Sequence, residues 1–145
     1  MTETETETDT PVDRRPRPHP IATTKPFWDG LADHKVCLQH CSDCAAWIYY
    51  PRRRCSSCLS DALVWEEVSG RGHIYSWTVA RQATHPAFGA DVPQLLAVVE
   101  LEEGVRLTTT LVDTTAEQVS IGQPVEPVFD RGSDGLTLLR YRLAG

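Results

Sequence analysis

Two cysteine pairs of identical spacing, Cys41-x2-Cys44 and Cys55-x2-Cys58, constrain this chain more than any other feature. A two-residue gap lets both sulfurs of a knuckle turn toward one point, and the ten residues between the pairs let two knuckles meet. Together they supply the four thiolates of a closed tetrahedral site, for which zinc is expected; iron in four thiolates satisfies the same spacing. With four protein ligands no position remains for an activated water, so the metal is structural. Its binding contributes on the order of 10 kcal/mol to folding of the ribbon. A redox dithiol stands alone at a helix start beside a βαβ pattern, which is missing here. Cys37, the fifth cysteine, reads as a plain buried or half-exposed thiol rather than a fifth ligand, and an odd count argues against a disulfide framework. Between the pairs, Trp47-Ile48-Tyr49-Tyr50 is expected to form ribbon strand, with Pro51 turning the chain.

The flanking sequence divides into segments. Residues 1–25 read as a disordered arm, first acidic and then proline-rich, with Arg14, Arg15 and Arg17 set among Pro11, Pro16, Pro18 and Pro20. Residues 26–34 read as a short helix: Pro26 suits a first helical position, and Phe27, Trp28 and Leu31 share a side, although Gly30 weakens it. The ribbon takes 35–61. From 62 to 145 the texture is β, with runs at 63–69, 72–82, 94–102, 105–112, 125–130 and 136–142 punctuated by glycine turns. In the second run Ile74, Ser76 and Thr78 alternate with Tyr75, Trp77 and Val79, and Glu102-Glu103-Gly104 reads as a tight hairpin. The fold class is therefore mainly β: a short N-terminal helix, a zinc ribbon and a small C-terminal barrel or sandwich.

A length of 145 residues and a hydrophobic share of 41% suffice for a packed core. No stretch approaches the roughly 20 apolar residues of a membrane span, and the acidic start lacks signal-peptide character, so a cytoplasmic location is expected. A net charge of −6 opposes non-specific nucleic-acid binding. His34, His40, His73 and His85 are scattered; His40 stands beside Cys41, where it reads as a solvated histidine or a donor to a ligand sulfur. Arg52, Arg53 and Arg54 form a cationic knot at the ribbon tip, either a solvated loop or a contact for phosphate or an acidic partner. No phosphate loop, nucleophile elbow or triad is present, so no catalytic residue is assigned.

The combined pattern resembles a known family, the acyl-CoA-associated proteins with an N-terminal helix, a rubredoxin-like zinc ribbon and a C-terminal OB-fold. Phe27, Trp28 and Leu31 match its opening helix. Leu38-Gln39-His40-Cys41-x2-Cys44 and Tyr50-Pro51-Arg52 before Cys55-x2-Cys58 match its knuckles. Ser69-Gly70, Gly72-His73-Ile74-Tyr75-Ser76, Val98-Val99-Glu100-Leu101 and Ile121-Gly122-Gln123-Pro124-Val125 match its barrel. Ala45 departs from the pattern, standing where the family often has glycine.

The resemblance implies a non-catalytic accessory subunit supporting a thiolase-like (lipid-transfer-protein-like) acyl-CoA enzyme in a hetero-oligomer. In one branch the partner is a retro-aldolase of steroid side-chain degradation, and acyl-CoA can lie at the shared site. Trp28, Trp47, Tyr49 and Tyr50 exceed what a one-zinc module buries and are the expected partner interface. Arg52, Arg53, Arg54, His85 and Phe88, the last two in a long loop at 84–92, are expected to contact CoA or the partner. The rival is a single-stranded nucleic-acid binder using Tyr75 and Trp77, against which Glu66, Glu67, Glu100 and Glu102 set the wrong charge.

Overall fold

A computed structural model describes residues 15–145. Its elements run α1 (Lys25–Ala32), β1 (Val36–Cys41), β2 (Trp47–Ile48), β3 (Leu63–Val68), β4 (Gly72–Ala80), β5 (Gln94–Leu101), β6 (Arg106–Thr110), β7 (Pro124–Arg131) and β8 (Thr137–Leu143), with 3₁₀ turns at Pro86–Phe88 and Ala116–Gln118.

Helix α1 has Pro26 in its first turn and buries Phe27 and Leu31. It does not break at Gly30. A β-carbon there would lie 2.9 Å from Cys37 Sγ, so the glycine is what lets the helix lie close on β1. The helix stops in a Schellman arrangement: the amides of His34 and Lys35 donate to the carbonyls of Leu31 and Gly30 at 3.0 and 2.8 Å, with His34 at φ +59°. The His34 ring then stacks on Phe129 of β7, 5.1 Å between centroids.

The strands form two sheets. The first has the order β2-β1-β3; the second has the order β6-β5-β4-β7-β8. β3, which the sequence groups with the barrel, pairs with β1 of the ribbon along its length, from Val36 with Val68 to Cys41 with Leu63. The edges of the larger sheet, β6 and β8, meet through one parallel bridge between Leu111 and Tyr141. The Thr109 hydroxyl donates to the Leu139 carbonyl at 3.1 Å beside it. This is a curled five-stranded sheet left partly open, the architecture of an OB-fold. A bulge between Ile74 and Ser76 corrects the simple alternation of β4. Tyr75 is the extra residue, so Ile74 faces Val99 and Trp77 faces Ala97, both toward the core, while Ser76 and Thr78 stay exposed.

The barrel core comprises Ile74, Ala97, Val99, Leu101, Leu107, Leu111, Val119, Val125 and Tyr141, joined by Leu38 from β1. A second cluster of Phe27, Leu31 and Val36 lies under the helix, and Tyr49, Val68 and Leu139 touch both. The sheets are sewn at the turn between β3 and β4. Gly70 there adopts φ +74°, and a β-carbon would lie 2.7 Å from Val36 Cγ2 and 3.1 Å from Pro127 Cγ. Its carbonyl accepts the Tyr141 hydroxyl at 2.6 Å inside the core.

The segment before the helix differs from the expected free arm from Arg15 onward. Arg15 Nη1 lies 3.0 Å from Asp91 Oδ2, and Arg17 bonds Asp134 and the Leu136 carbonyl. Paired guanidinium groups hold it where composition alone predicts a solvated chain. The expectation for residues 1–14 lies outside the described residues.

Candidate metal centre and aromatic face

The two knuckles are built alike. In each, the first cysteine's amide donates to the carbonyl five residues on (Cys41 to Ala46, 2.9 Å; Cys55 to Ser60, 2.8 Å). Its own carbonyl accepts the amide four residues on (Ala45, 2.9 Å; Leu59, 3.0 Å). That fourth residue takes φ +65° in both. Ala45 thus keeps the same turn as Leu59 despite its side chain. The Ser60 hydroxyl donates to the Asp43 carboxylate and ties one knuckle to the other.

This geometry brings the sulfurs of Cys41, Cys44, Cys55 and Cys58 within 4.8 Å of one another. Cys41 to Cys58 measures 3.6 Å and Cys44 to Cys55 3.5 Å. A tetrahedral zinc with bonds of about 2.3 Å sets sulfurs about 3.8 Å apart, so the donor set fits the metal. The amides of Cys58 and Ser57 point at Cys55 Sγ and lower its thiol from 9.0 to about 7, toward the thiolate that zinc requires. The centre is a structural zinc site. Cys37 stands apart, half-buried, with its thiol pushed up by burial and by Glu67. Among the described residues, no other histidine, cysteine and carboxylate set gathers closely enough to hold a metal.

His40 is neither a sulfur partner nor freely solvated. Its Nδ1 meets Glu66 Oε2 at 2.6 Å, its Nε2 meets the Ala45 carbonyl at 3.0 Å, and its ring stacks on Trp47 at 4.2 Å. Gln39, a buried amide on the adjoining strand position, accepts the Arg52 amide at 2.7 Å and donates to the Arg52 carbonyl at 2.8 Å, fixing the chain between knuckles. Sequence reasoning assigned Gln39 no role. The available signal was a polar residue inside an apolar strand, which burial obliges to find partners.

The four expected interface aromatics separate into different environments. Phe27 collects Trp28, Tyr49 and Tyr50 around its ring at 5.2, 5.8 and 6.0 Å. Trp28 Nε1 donates to the Tyr50 hydroxyl at 3.2 Å, and Tyr50 is 41% exposed. Tyr49 is mostly buried between the two core clusters, and burial pushes its hydroxyl up to about 12. Trp47 packs against the barrel core and on His40, so its replacement also disturbs the fold. Trp28 and Tyr50 remain as the surface pair.

Arg52, Arg53 and Arg54 are exposed at the ribbon tip, Arg54 donating to the Leu59 carbonyl at 3.2 Å. His85 and Phe88 lie on the β4–β5 loop, where His85 Nδ1 accepts the Ala87 amide at 3.0 Å and Phe88 is half-buried. For base stacking the barrel offers little. Trp77 points into the core, and the Arg106 guanidinium covers Tyr75 at 3.8 Å while bonding Glu100 at 2.9 Å. No helix among the described residues is long and apolar enough to cross a membrane.

Comparison with known proteins follows the same two-part division. Residues 28–64 match the ChsH2 rubredoxin-like zinc ribbon domain, and residues 65–130 match the ChsH2 C-terminal OB-fold domain. A probable enoyl-CoA hydratase alpha subunit of Thermomonospora curvata is 35% identical over 131 residues, covering 90% of this chain but 40% of that one. A 3-oxo-4,17-pregnadiene-20-carboxyl-CoA hydratase alpha subunit of Mycobacterium tuberculosis is 33% identical over 113 residues, 78% of this chain and 35% of that one. The chain thus spans less than half the length of these two relatives. A DUF35 domain-containing scaffold protein of Methanocaldococcus jannaschii is 36% identical over 108 residues, 70% of this chain and 75% of that one. Among solved structures, a chain of the Ltp2-ChsH2(DUF35) aldolase superposes with a TM-score of 0.78 at 32% identity, covering 89% of this chain and all of that one.

Proposed function

Because the chain belongs to the DUF35 family of ChsH2-type zinc-ribbon and OB-fold proteins, we propose that it is a non-catalytic accessory subunit of an acyl-CoA enzyme in steroid side-chain degradation. The observation that carries this reading is its likeness to the aldolase chain over that chain's whole length. The relative named for a pregnadiene-carboxyl-CoA substrate supports the steroid assignment. The metal centre agrees with a supporting role, since four thiolates fill a tetrahedral zinc and leave no position for substrate.

The partner is a thiolase-superfamily enzyme of the lipid-transfer-protein type, which carries the reacting groups. It contacts the face around Trp28 and Tyr50. The Arg52–54 knot and the loop holding His85 and Phe88 extend this contact toward the partner or the acyl-CoA phosphates. The complex works in the cytoplasm, where the thiolates and Cys37 stay reduced.

The test is affinity capture of the tagged chain from its native cells, with co-eluting proteins identified by mass spectrometry. A stoichiometric thiolase-superfamily partner is expected, and the pair should cleave a steroid side-chain CoA ester that this chain alone leaves untouched. Recovery of the chain alone, or with nucleic acid, would sink the reading.

A further inference from the structure

Two barrel loops are bridged by the segment that precedes the helix. In OB-folds the loops after the first and fourth barrel strands flank the surface that takes oligonucleotides or sugars. Here these are the β4–β5 loop, residues 81–93, and the β7–β8 turn, residues 132–136. Arg15 reaches the first through Asp91, and Arg17, two residues on, reaches the second.

The Arg17 seat is shaped for a guanidinium. Its Nε and Nη2 donate to the two carboxylate oxygens of Asp134 at 3.1 Å each, and Nη2 also donates to the Leu136 carbonyl at 3.1 Å. The Leu136 amide holds Asp134 Oδ1 from behind at 2.9 Å. Any β-carbon at Gly132 would fall 2.1 Å from Arg17 Nη2, so the turn is hollowed at that point. The arginine side chain is 12% exposed. Beside Arg15 opens a cleft of about 540 Å³ lined by Asp91, Asp113, Phe129, Asp130 and Arg140. Arg140 is engaged by Asp130 at 2.6 Å, so the lining favours a cation. Prolines 16, 18 and 20 keep the segment extended and reduce the entropy lost on seating it.

We propose that the Asp91 and Asp134 seats on these two loops form a receptor for an extended Arg-Pro-Arg peptide, occupied in this chain by its own Arg15-Pro16-Arg17. The receptor then accepts an arginine-bearing segment of another molecule when the internal one is released, and it excludes nucleic acid while occupied. The proposal does not depend on the accessory role.

The experiment uses the full chain carrying Arg15→Ala and Arg17→Ala, with zinc content and circular dichroism checked against the unaltered protein. The probe is a fluorescent synthetic peptide of residues 10–20. The opened variant is expected to bind the peptide, with the unaltered chain and the opened variant carrying Asp134→Asn each weaker by at least about tenfold. Failure of the opened variant to bind, equal binding with Asp134→Asn, or binding of single-stranded DNA instead would overturn the proposal. A second measurement needs no opened receptor: the Arg17 Nε–H resonance of the unaltered chain should stand apart from those of free arginines and join them in Asp134→Asn. A resonance already among the free arginines also overturns it.

Discussion

Tyr141 has no exposed surface, and its hydroxyl meets the Gly70 carbonyl across 71 residues of sequence. Replacing it with phenylalanine leaves that carbonyl without a partner in the core. Tyr141→Phe should therefore cost about 1–3 kcal/mol in urea unfolding with an unchanged denaturant slope. Burial raises the pKa of both Tyr141 and Tyr49, the latter to about 12. The stability tied to their neutral forms is complete below the ordinary tyrosine value of 10.0 and is lost as pH climbs toward 12. Tyrosinate absorbance should accordingly show Tyr49 ionising together with unfolding; its ionisation near pH 10 in a folded chain would refute the burial argument. Leu59, 70% exposed and at φ +65°, offers a gain: Leu59→Gly should add about 0.5–1 kcal/mol in the zinc-loaded protein by thermal unfolding. At this scale the four sulfur ligands were legible, because their chemistry is written in local spacing. The Tyr141–Gly70 bond was not, since nothing near either residue marks the other.

At the scale of elements, the ribbon depends on its metal. Cys55 is buried, and its sulfur gathers two amides as well as its neighbours. Cys55→Ser, or a strong chelator, should abolish stoichiometric zinc and withdraw on the order of 10 kcal/mol from ribbon folding. Because Leu38 of β1 enters the barrel core, far-UV circular dichroism and core tryptophan fluorescence should change together rather than in separate steps. Strand existence and the β5–β6 hairpin were readable from β-branched runs and glycine turns. The side facing inward beyond Tyr75 was not. The bulge depends on how β4 registers against β5, and a period-two pattern in one strand carries no information about its partner.

For the whole molecule, the proposed partner surface is exposed Tyr50 with half-buried Trp28 beside it. Tyr50→Ala should weaken partner binding by at least about tenfold while zinc content and melting change little, and Trp28→Ala should weaken it as much with some loss of stability, since its ring packs on the Phe27 cluster. Trp47→Ala should lower stability as well as any affinity, since its ring is held by His40 and the barrel core. The sequence pattern counted all four aromatics as one surface because composition measures how many apolar rings must be covered, not which of them the fold covers.

The join at β3 also bears on how such a chain can be inherited. The boundary between the two matched domains, at residues 64 and 65, falls inside a strand that hydrogen-bonds to the ribbon while its following turn is pinned by the barrel. A gene break at that point would hand each fragment an unpaired edge and an open core. Ribbon and barrel are therefore a single heritable cassette rather than two halves that can be shuffled apart.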